Sequence, residues 1–315
     1  MPNEYKDLLF QVSKLYYEQG KTQAEISLII HTSRPTVSRL LKEARDKNIV
    51  DIRINYPYER DYPLEEEFQK NFNLKEVRVL KSYGQTSEEV RKGLGFFAAD
   101  YFDSTVKDGD IVACSYGRTV ASTIQALHPE RKLNITVVQM IGALGVENPF
   151  IDGPDLVRQL GDKYSGNYRY LLAPLVVSDE NARESLVSQV RIQDTLKLTL
   201  SARIGLGGIG GMNESTPSPI WTNYISTPEW EELRKLGAIG HMGAYFYNEA
   251  GEIIDAEINK RVIGMGLDHQ KEIPHMIAVA GGESKALSIR AALLGKYLNV
   301  LVTDDSAAKY ILNLK

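Results

Sequence analysis

The chain has 315 residues, of which 25% are charged and 43% hydrophobic, and its formal net charge is -4 at pH 7. This composition is that of an ordinary globular protein with room for two domains, and the acidic balance excludes a chain devoted wholly to nucleic acid. No apolar run approaches the ~20 residues of a membrane span, the start lacks a secretory pattern, and the single cysteine, Cys114, excludes an internal disulfide. We therefore expect a cytoplasmic protein with no membrane partner.

The first thirty residues carry the patterns of two short amphipathic helices. Between residues 5 and 19, apolar side chains recur at three- and four-residue steps, at Leu8, Val12, Leu15 and Tyr16. This spacing predicts a helix that Gly20 ends. Thr22 followed by Glu25 is the capping-box pattern and predicts the start of a second helix.

A third helix is predicted after the polar break at residues 31–33. Ser33 is a suitable N-cap, and Pro35 falls in the first turn, where its missing N–H costs little. The apolar residues Val37, Leu40, Leu41 and Ala44 would form its buried side. Residues 31–48 hold five cationic and two anionic side chains, so a local charge of +3 is concentrated on this short segment.

The opposite side of the third helix has the composition of a DNA-reading surface. An α-helix fits the major groove, its first turns reach base edges, and its cations neutralise phosphates. The start of the preceding helix can bind phosphate through backbone N–H groups. We predict DNA contacts from Thr22, Gln23, Ser33, Arg34, Pro35, Thr36, Ser38, Arg39 and Lys42. The alternative is a solvated helical hairpin with incidental positive charge.

Residues 49–54 alternate apolar with charged side chains, which predicts a short strand and favours the wing of a winged helix-turn-helix. Residues 55–63 contain two prolines and little apolar periodicity, so the domain boundary is placed there. We expect a DNA-binding domain over residues 1–56 and a larger domain over residues 57–315. A short helix at residues 64–72 opens the larger domain.

From residue 75 onward, short apolar runs alternate with helical patterns. The predicted strands are 77–80, 111–115, 135–140, 170–177, 202–207, 276–280 and 300–303. The predicted helices are 88–103, 118–127, 153–164, 184–197, 284–295 and 306–313. Strands separated by helices favour an α/β domain with a Rossmann-like parallel sheet covered on both faces.

Two strand-to-helix junctions have the residues of a ligand site. Ligands of such sheets bind where the carboxyl ends of strands meet helix N-termini. The first junction offers Ser115, Gly117, Arg118 and Thr119, and the second offers Gly281, Gly282 and Lys285. Exposed N–H groups at a helix start, together with a cation, favour a phosphate or a polyol hydroxyl. Taken singly, each junction is also what ordinary turn geometry produces.

The glycine-rich run at residues 205–211 is predicted to be a flexible loop after a strand. It lacks the order of a dinucleotide fingerprint because no helix clearly follows it. We therefore do not expect NAD binding there, and we expect no cofactor and no metal site in the chain.

Taken together, these motifs resemble the SorC/DeoR-type family of sugar-responsive transcription regulators over essentially the whole chain. The segments that carry the resemblance are residues 15–17, 22–26, 33–41, 108–112, 115–119, 281–285 and 295–304.

The resemblance implies an effector domain similar to sugar-phosphate isomerases and deaminases. It also implies homo-oligomers, dimers or tetramers, and control of a carbohydrate-use operon by a sugar or sugar phosphate. Because paired helix-turn-helix units read symmetric half-sites, operator DNA is expected to be a near-palindrome. By motif match, Gly117, Arg118, Thr119 and Lys285 would hold the phosphate. Gln139, Gly142 and His241 are included among the expected effector-contacting residues.

The chain departs from the family pattern at two positions. One branch of the family has a lysine that bonds covalently to its sugar, and that place is Ile141 here, so no such capture is expected. Many members carry an aspartate where this chain has His241. An aspartate accepts hydroxyl hydrogens, whereas a neutral histidine donates through one nitrogen and accepts through the other. The alternative for His241 is a packed side chain without a ligand.

Two other functions remain open at this point. One is an active sugar-phosphate isomerase or deaminase, for which Glu283, Asp304 and His241 are the candidate bases, although no acid–base pair is fixed by spacing. The other is a scaffold with a degenerate pocket. We predict no catalytic residue.

Overall fold

The computed structural model describes residues 3–50, 58–145, 149–212, 217–218 and 220–314. The chain divides into two units, Met1–Pro57 and Tyr58–Lys315. Within the described ranges, no helix is both long and apolar enough to cross a bilayer.

The first unit is built from α1 (Asn3–Ser13), α2 (Gln23–Ile29) and α3 (Arg34–Asp46). α1 continues as a π-helix over Lys14–Glu18, and Gly20 then takes a φ of +64° that suits glycine. The three α-helices share one apolar core, formed by Leu9, Val12, Ile26, Val37, Leu40, Leu41 and Ala44.

The predicted caps of α2 and α3 are confirmed. The hydroxyl of Thr22 accepts the N–H of Glu25 at 3.3 Å, and the Glu25 carboxylate accepts the N–H of Thr22 at 2.8 Å. The hydroxyl of Ser33 accepts the N–H of Thr36 at 3.4 Å. The predicted wing strand falls mostly on residues 51–54, which lie outside the described residues. Ile49 and Val50 precede them and pack against the apolar core.

The second unit is organised around one mostly parallel sheet. Its strands are β1 (Glu76–Leu80), β2 (Ile111–Cys114), β3 (Thr136–Gln139), β4 (Asn167–Arg169), β5 (Ile204–Gly211), β6 (Gly240–Met242), β7 (Tyr245–Tyr247), β8 (His275–Val279) and β9 (Val300–Asp304). The spatial order is β1-β9-β8-β5-β2-β3-β4, and β6 and β7 form an antiparallel extension from β5. The predicted α/β class with a parallel sheet is confirmed.

Helices cover both faces of this sheet. They are α4 (Tyr62–Phe72), α5 (Ser87–Thr105), α6 (Arg118–Ala126), α7 (Gly153–Tyr164), α8 (Glu180–Val187), α9 (Val190–Thr199), α10 (Thr227–Lys235), α11 (Glu257–Lys260), α12 (Leu267–Gln270), α13 (Ala286–Leu294) and α14 (Asp305–Asn313). Successive strand residues point to opposite faces, so Ile277 packs in the core under α5, α6 and α7, while Met276 packs in the core with α13 and α14. Burial on both faces explains why the strands are nearly continuous apolar runs.

The strand order reverses between β2 and β5. From β2 the chain moves outward through β3 to β4, and from β5 it moves the other way through β8 to β9. This reversal is a topological switch point, and the carboxyl ends of the strands on either side form a crevice open to ligands.

One predicted strand and one predicted helix differ from the structure. Residues 170–177 do not form a regular strand, because they make only isolated bridges, Pro174 with Ala143 and Val176 with Val262. The predicted helix 184–197 is two helices, because Gln189 takes an extended conformation with ψ 129° and caps α9.

The glycine run at residues 205–211 was expected to be a loop, and this prediction is wrong. The run lies in β5, at the centre of the sheet between β2 and β8. Its glycines are needed because neighbours approach closely: a Cβ on Gly205 would lie 2.3 Å from Sδ of Met276.

Candidate DNA-contacting helix and effector site

α3 presents a polar, cationic side away from the core of the first unit. Its buried side is Val37, Leu40, Leu41 and Ala44. On the opposite side, six of the residues predicted to contact DNA are exposed: Ser33, Arg34, Pro35, Ser38, Arg39 and Lys42. Thr36 is half-buried, and its hydroxyl lies 2.9 Å from that of Ser33.

The start of α2 lies beside the start of α3. An open groove of about 560 Å³ runs between them, lined by Tyr16, Gly20, Lys21, Thr22, Gln23, Ala24 and Arg34. Thr22 donates its amide to Glu25, so the next amides available to a ligand at this helix start are those of Gln23 and Ala24. The first unit therefore places the nine predicted DNA contacts at the start of α2 and along the first nine residues of α3 with its N-cap.

The second site lies at the switch point of the sheet. Ser115 follows β2, is buried, and donates its N–H to the carbonyl of Leu206 on β5 at 2.9 Å. Gly117 caps α6 with a φ of +116°, and Gly282 takes a φ of +92° before the 3₁₀ turn that contains Lys285. Both glycines adopt conformations that other residues reach only with strain. The two predicted junctions thus lie on either side of β5, at the carboxyl ends of the parallel strands.

Arg118, at the start of α6, is within electrostatic range of two other cations, Lys285 and Arg91. Lys285 donates from Nζ to the carbonyl of Ile209 on β5 at 3.0 Å, and its pKa is lowered by burial and by the charge of Arg118. Arg118 is exposed at the start of α6 and forms no hydrogen bond or ion pair within the described residues. Arg91 on α5 pairs with Glu88, and its pKa is lowered by burial and by Arg118. Positive charge at the two junctions favours an anionic ligand there.

Arg91 was not predicted from the sequence. It lies in the second turn of α5, a helix whose start is distant in sequence from both junctions. No local motif marks it, and only the influence of Arg118 on its pKa connects it with the site.

At Gly208 and Gly210, β5 passes this region without side chains, and we call this stretch of backbone the glycine floor. A Cβ on Gly208 would lie 3.1 Å from Oγ1 of Thr119, and a Cβ on Gly210 would lie 2.0 Å from Nε2 of His241. Residues two apart on a strand share a face, so Thr119 and His241 lie on the same side of β5. Glycine is required at residue 210 because the imidazole lies directly against the backbone.

His241 is held in one tautomer by Trp221. The indole Nε1 donates to Nε2 of His241 at 3.0 Å, so the proton of the neutral ring is on Nδ1. Burial and the nearby charge of Lys285 lower the pKa of His241 to about 3. The ring is therefore neutral at pH 7, and Nδ1 is a hydrogen-bond donor without a partner in the described part of the chain.

Gln139 and Gly142 have structural partners. Gln139 is fully buried, with Nε2 donating to Ile141 O at 2.8 Å and Oε1 accepting from Leu171 N at 3.1 Å. A Cβ on Gly142 would lie 2.2 Å from the carbonyl oxygen of Pro174. Ile141 is fully buried and has no amine to offer a carbonyl.

The candidate bases of the enzymatic alternative do not form an acid–base pair. Glu283 is exposed in the 3₁₀ turn. Asp304 is 1% exposed, and its oxygens accept the amides of Ala307 at 2.8 Å and Gly282 at 2.6 Å. The described residues also bring no group of three or more His, Cys, Asp or Glu together in a metal-binding arrangement.

Comparison with known proteins finds relatives that match nearly the whole chain. Residues 56–313 match the family model described as "Putative sugar-binding domain". The transcriptional regulator LsrR of Enterobacter sp. (strain 638) is 33% identical over 98% of this chain and 94% of its own length. The deoxyribonucleoside regulator of Bacillus subtilis (strain 168) is 29% identical over 99% of both chains. The crystal structure of the full-length sorbitol operon regulator SorC from Klebsiella pneumoniae superimposes with a TM-score of 0.75 and 26% identity, over 99% of this chain and 100% of that chain.

Proposed function

The chain belongs to the sugar-binding-domain family of transcriptional regulators, and from this membership we propose that it is a DNA-binding regulator of a carbohydrate-utilisation operon, controlled by a sugar or sugar phosphate. Relatives that match along their full length are named as a sorbitol operon regulator and a deoxyribonucleoside regulator.

The first unit binds operator DNA through the exposed side of α3. Ser38, Arg39 and Lys42 enter the major groove, and the adjoining start of α2 holds a phosphate at Gln23. Electrostatic attraction to phosphates supplies most of the non-specific affinity, so binding weakens steeply with salt. Because homo-oligomers of the chain present paired units, the operator is a near-palindrome.

The second unit binds the effector over the glycine floor of β5. The observation that carries this assignment is that Arg118 and Lys285 lie at the two junctions that flank β5, with Nζ of Lys285 bonded to the carbonyl of Ile209 on β5. A phosphate there receives the amides at the start of α6 and charge-assisted hydrogen bonds from the cations. The polar remainder of the ligand extends along Thr119 toward His241.

His241 sets the hydrogen-bond polarity at the far end of this site. Since Trp221 occupies Nε2, the ligand meets the N–H of Nδ1. That position takes an oxygen that accepts, whereas an aspartate in its place would take a hydroxyl that donates. This difference favours an effector unlike those of relatives with an aspartate there.

The test is operator binding in the presence of candidate effectors. Fluorescence anisotropy on DNA upstream of the chain's own operon is measured with glucose 6-phosphate, fructose 6-phosphate, ribose 5-phosphate, sorbitol 6-phosphate and the matching free sugars. We expect one phosphorylated sugar to shift operator affinity by about 5- to 150-fold, the usual range of allosteric coupling. Arg118→Gln should abolish this shift, and Arg169→Gln on the exposed edge strand β4 should leave it unchanged. Absence of binding to any nearby DNA at low salt would contradict the proposal that the chain is a DNA-binding regulator.

We propose further that the protein acts in the cytoplasm, where operator and sugar phosphates meet, and that it has no turnover of its own. Its named relatives are regulators, and Asp304 is already occupied by two amides. Isomerisation or deamination of any of these sugars or sugar phosphates, abolished by Glu283→Gln, would overturn the proposal that the chain has no turnover.

A further inference from the structure

The loop Gly281–Lys285, which we call the effector loop, is hydrogen-bonded to Asp304, the last residue of β9. Asp304 accepts the amide of Gly282 at 2.6 Å, and a Cβ on Gly281 would lie 2.6 Å from the same carboxylate oxygen. The loop therefore rests directly on Asp304, which also caps α14. The Gly282 amide has two possible acceptors, since an anionic ligand beside Lys285 competes with Asp304 for it.

The next residue holds the end of β1. One oxygen of Asp305 accepts both the N–H of Ser82, at 2.9 Å, and its hydroxyl, at 2.5 Å. These bonds join residues 223 positions apart in the chain. Because Asp304 and Asp305 are consecutive at the start of one helix, a displacement of the first moves the second.

β1 in turn holds the first residues of the second unit. Arg60 bridges antiparallel to Leu80, and the flanking amides of Asp61 and Lys81 donate to Val79 at 2.8 Å and Glu59 at 2.9 Å. These residues follow directly on the DNA-binding unit, which ends at Pro57.

A partly buried ion pair makes this attachment rigid. Glu65 is 5% exposed and binds Arg60 through both oxygens, at 2.8 and 2.7 Å, while accepting the amide of Val79 at 2.8 Å. A bidentate pair of this kind fixes orientation as well as distance. Movement of β1 is therefore passed to residues 59–61 rather than absorbed between them.

We propose that Asp304 and Asp305 transmit effector binding from the Gly281–Lys285 loop, through Ser82 and β1, to residues 59–61 and so to the DNA-binding unit. The inference rests on the proposed function, because it takes the loop to be the anion site. In the free protein Asp304 holds the Gly282 amide. In the bound protein the ligand takes that amide, the start of α14 shifts, and the hydrogen bonds of Asp305 draw Ser82 with it.

Hydrogen exchange on the full chain tests this relay, with inorganic phosphate and the sugar phosphates of the panel as probes. In the unaltered protein, a probe should change the exchange rates at residues 281–285, 79–82 and 59–61 by about threefold or more. In Asp305→Ala the change at 281–285 should persist while the change at 59–61 disappears. Ser82→Ala, a milder variant, should weaken it. Lys309→Ala removes the other partner of Asp305 and should behave like the unaltered protein.

The outcomes separate the relay from the site. A response at 281–285 without one at 59–61 in the unaltered protein overturns the relay and leaves the effector site standing. Persistence of the response at 59–61 in both Asp305→Ala and Ser82→Ala overturns it as well. No response at 281–285 to any probe removes the anion site, and the relay with it.

Discussion

Replacing Lys285 by methionine should weaken effector binding while changing the stability of the folded protein little. Methionine keeps the length of the stem, with sulfur in place of one methylene, and removes the ammonium group. If that group donates to an effector phosphate, its loss costs about 1.5–3 kcal/mol, the range of hydrogen bonds to charged groups. At 1.4 kcal/mol per factor of ten, the dissociation constant of the effector should rise about 10- to 150-fold.

The free protein should tolerate the same change. The folded pKa of Lys285 is below its ordinary 10.5, because burial and Arg118 disfavour the charged form. The folded chain therefore binds its proton less tightly than the unfolded chain, and this cost to stability, present at pH 7, declines as pH rises toward 10.5. Methionine removes the cost but also the hydrogen bond to Ile209, which contributes about 1 kcal/mol. The two effects oppose each other, so the melting temperature should move by no more than about 2–4 °C.

Calorimetric titration of the effector and thermal unfolding measure the two quantities on one preparation. Lys235→Met is the matched control, since that lysine is exposed in the last turn of α10. An unchanged effector affinity in Lys285→Met would refute the assignment of this lysine to the site. Loss of the folded state would refute the argument about the cost of its charge.

Four further outcomes are expected. Arg39→Ala should weaken operator binding by about 1–3 kcal/mol if it reads a base edge, or flatten the salt dependence by about one unit of slope if it contacts phosphate; Arg45→Ala, at the other end of α3, should do less. Nitrogen NMR of His241 should show a neutral ring with the proton on Nδ1 from pH 8 to 5, and titration of the ring near pH 6 would contradict this. The free energy of unfolding should fall as pH drops below about 6.5, because only the unfolded chain's histidine takes up a proton there. Thr22→Ala should cost about 0.5–2 kcal/mol of stability in the first unit, and unchanged unfolding would show that its capping box is dispensable. Gly117→Ala should cost about 1–3 kcal/mol from its positive φ alone, since its Cβ would meet no atom within 4 Å; equal stability would disprove the strain.

Local signals in the sequence predicted the helices of the first unit and the class of the second. Capping residues such as Thr22 and Ser33 act within four positions, so their effect is visible in the sequence itself. Both-sided burial likewise marks parallel strands as apolar runs. The two strand-to-helix junctions were recognisable for the same reason, because each combines a strand end, a glycine and a helix start.

Features that depend on distant neighbours were not predictable. The glycines of β5 indicate a loop by local preference, yet they are fixed by the approach of Met276, Thr119 and His241 from elsewhere in the chain. Arg91 is an ordinary helical cation until the fold brings Arg118 near it. The partner of Asp305 is likewise set by topology, since Ser82 becomes its neighbour only when β1 and β9 pair.

The antiparallel bridge at Arg60 also has a consequence for the second unit in isolation. β1 is the outermost long strand on its side of the sheet, and residues 59–61 lie along its free edge. An uncovered edge is a template for pairing with other chains. A proteolytic fragment that begins at Tyr58 should therefore stay monodisperse at protein concentrations where one that begins at Tyr62 precipitates. Cleavage between these two residues would expose the edge of β1 and promote aggregation.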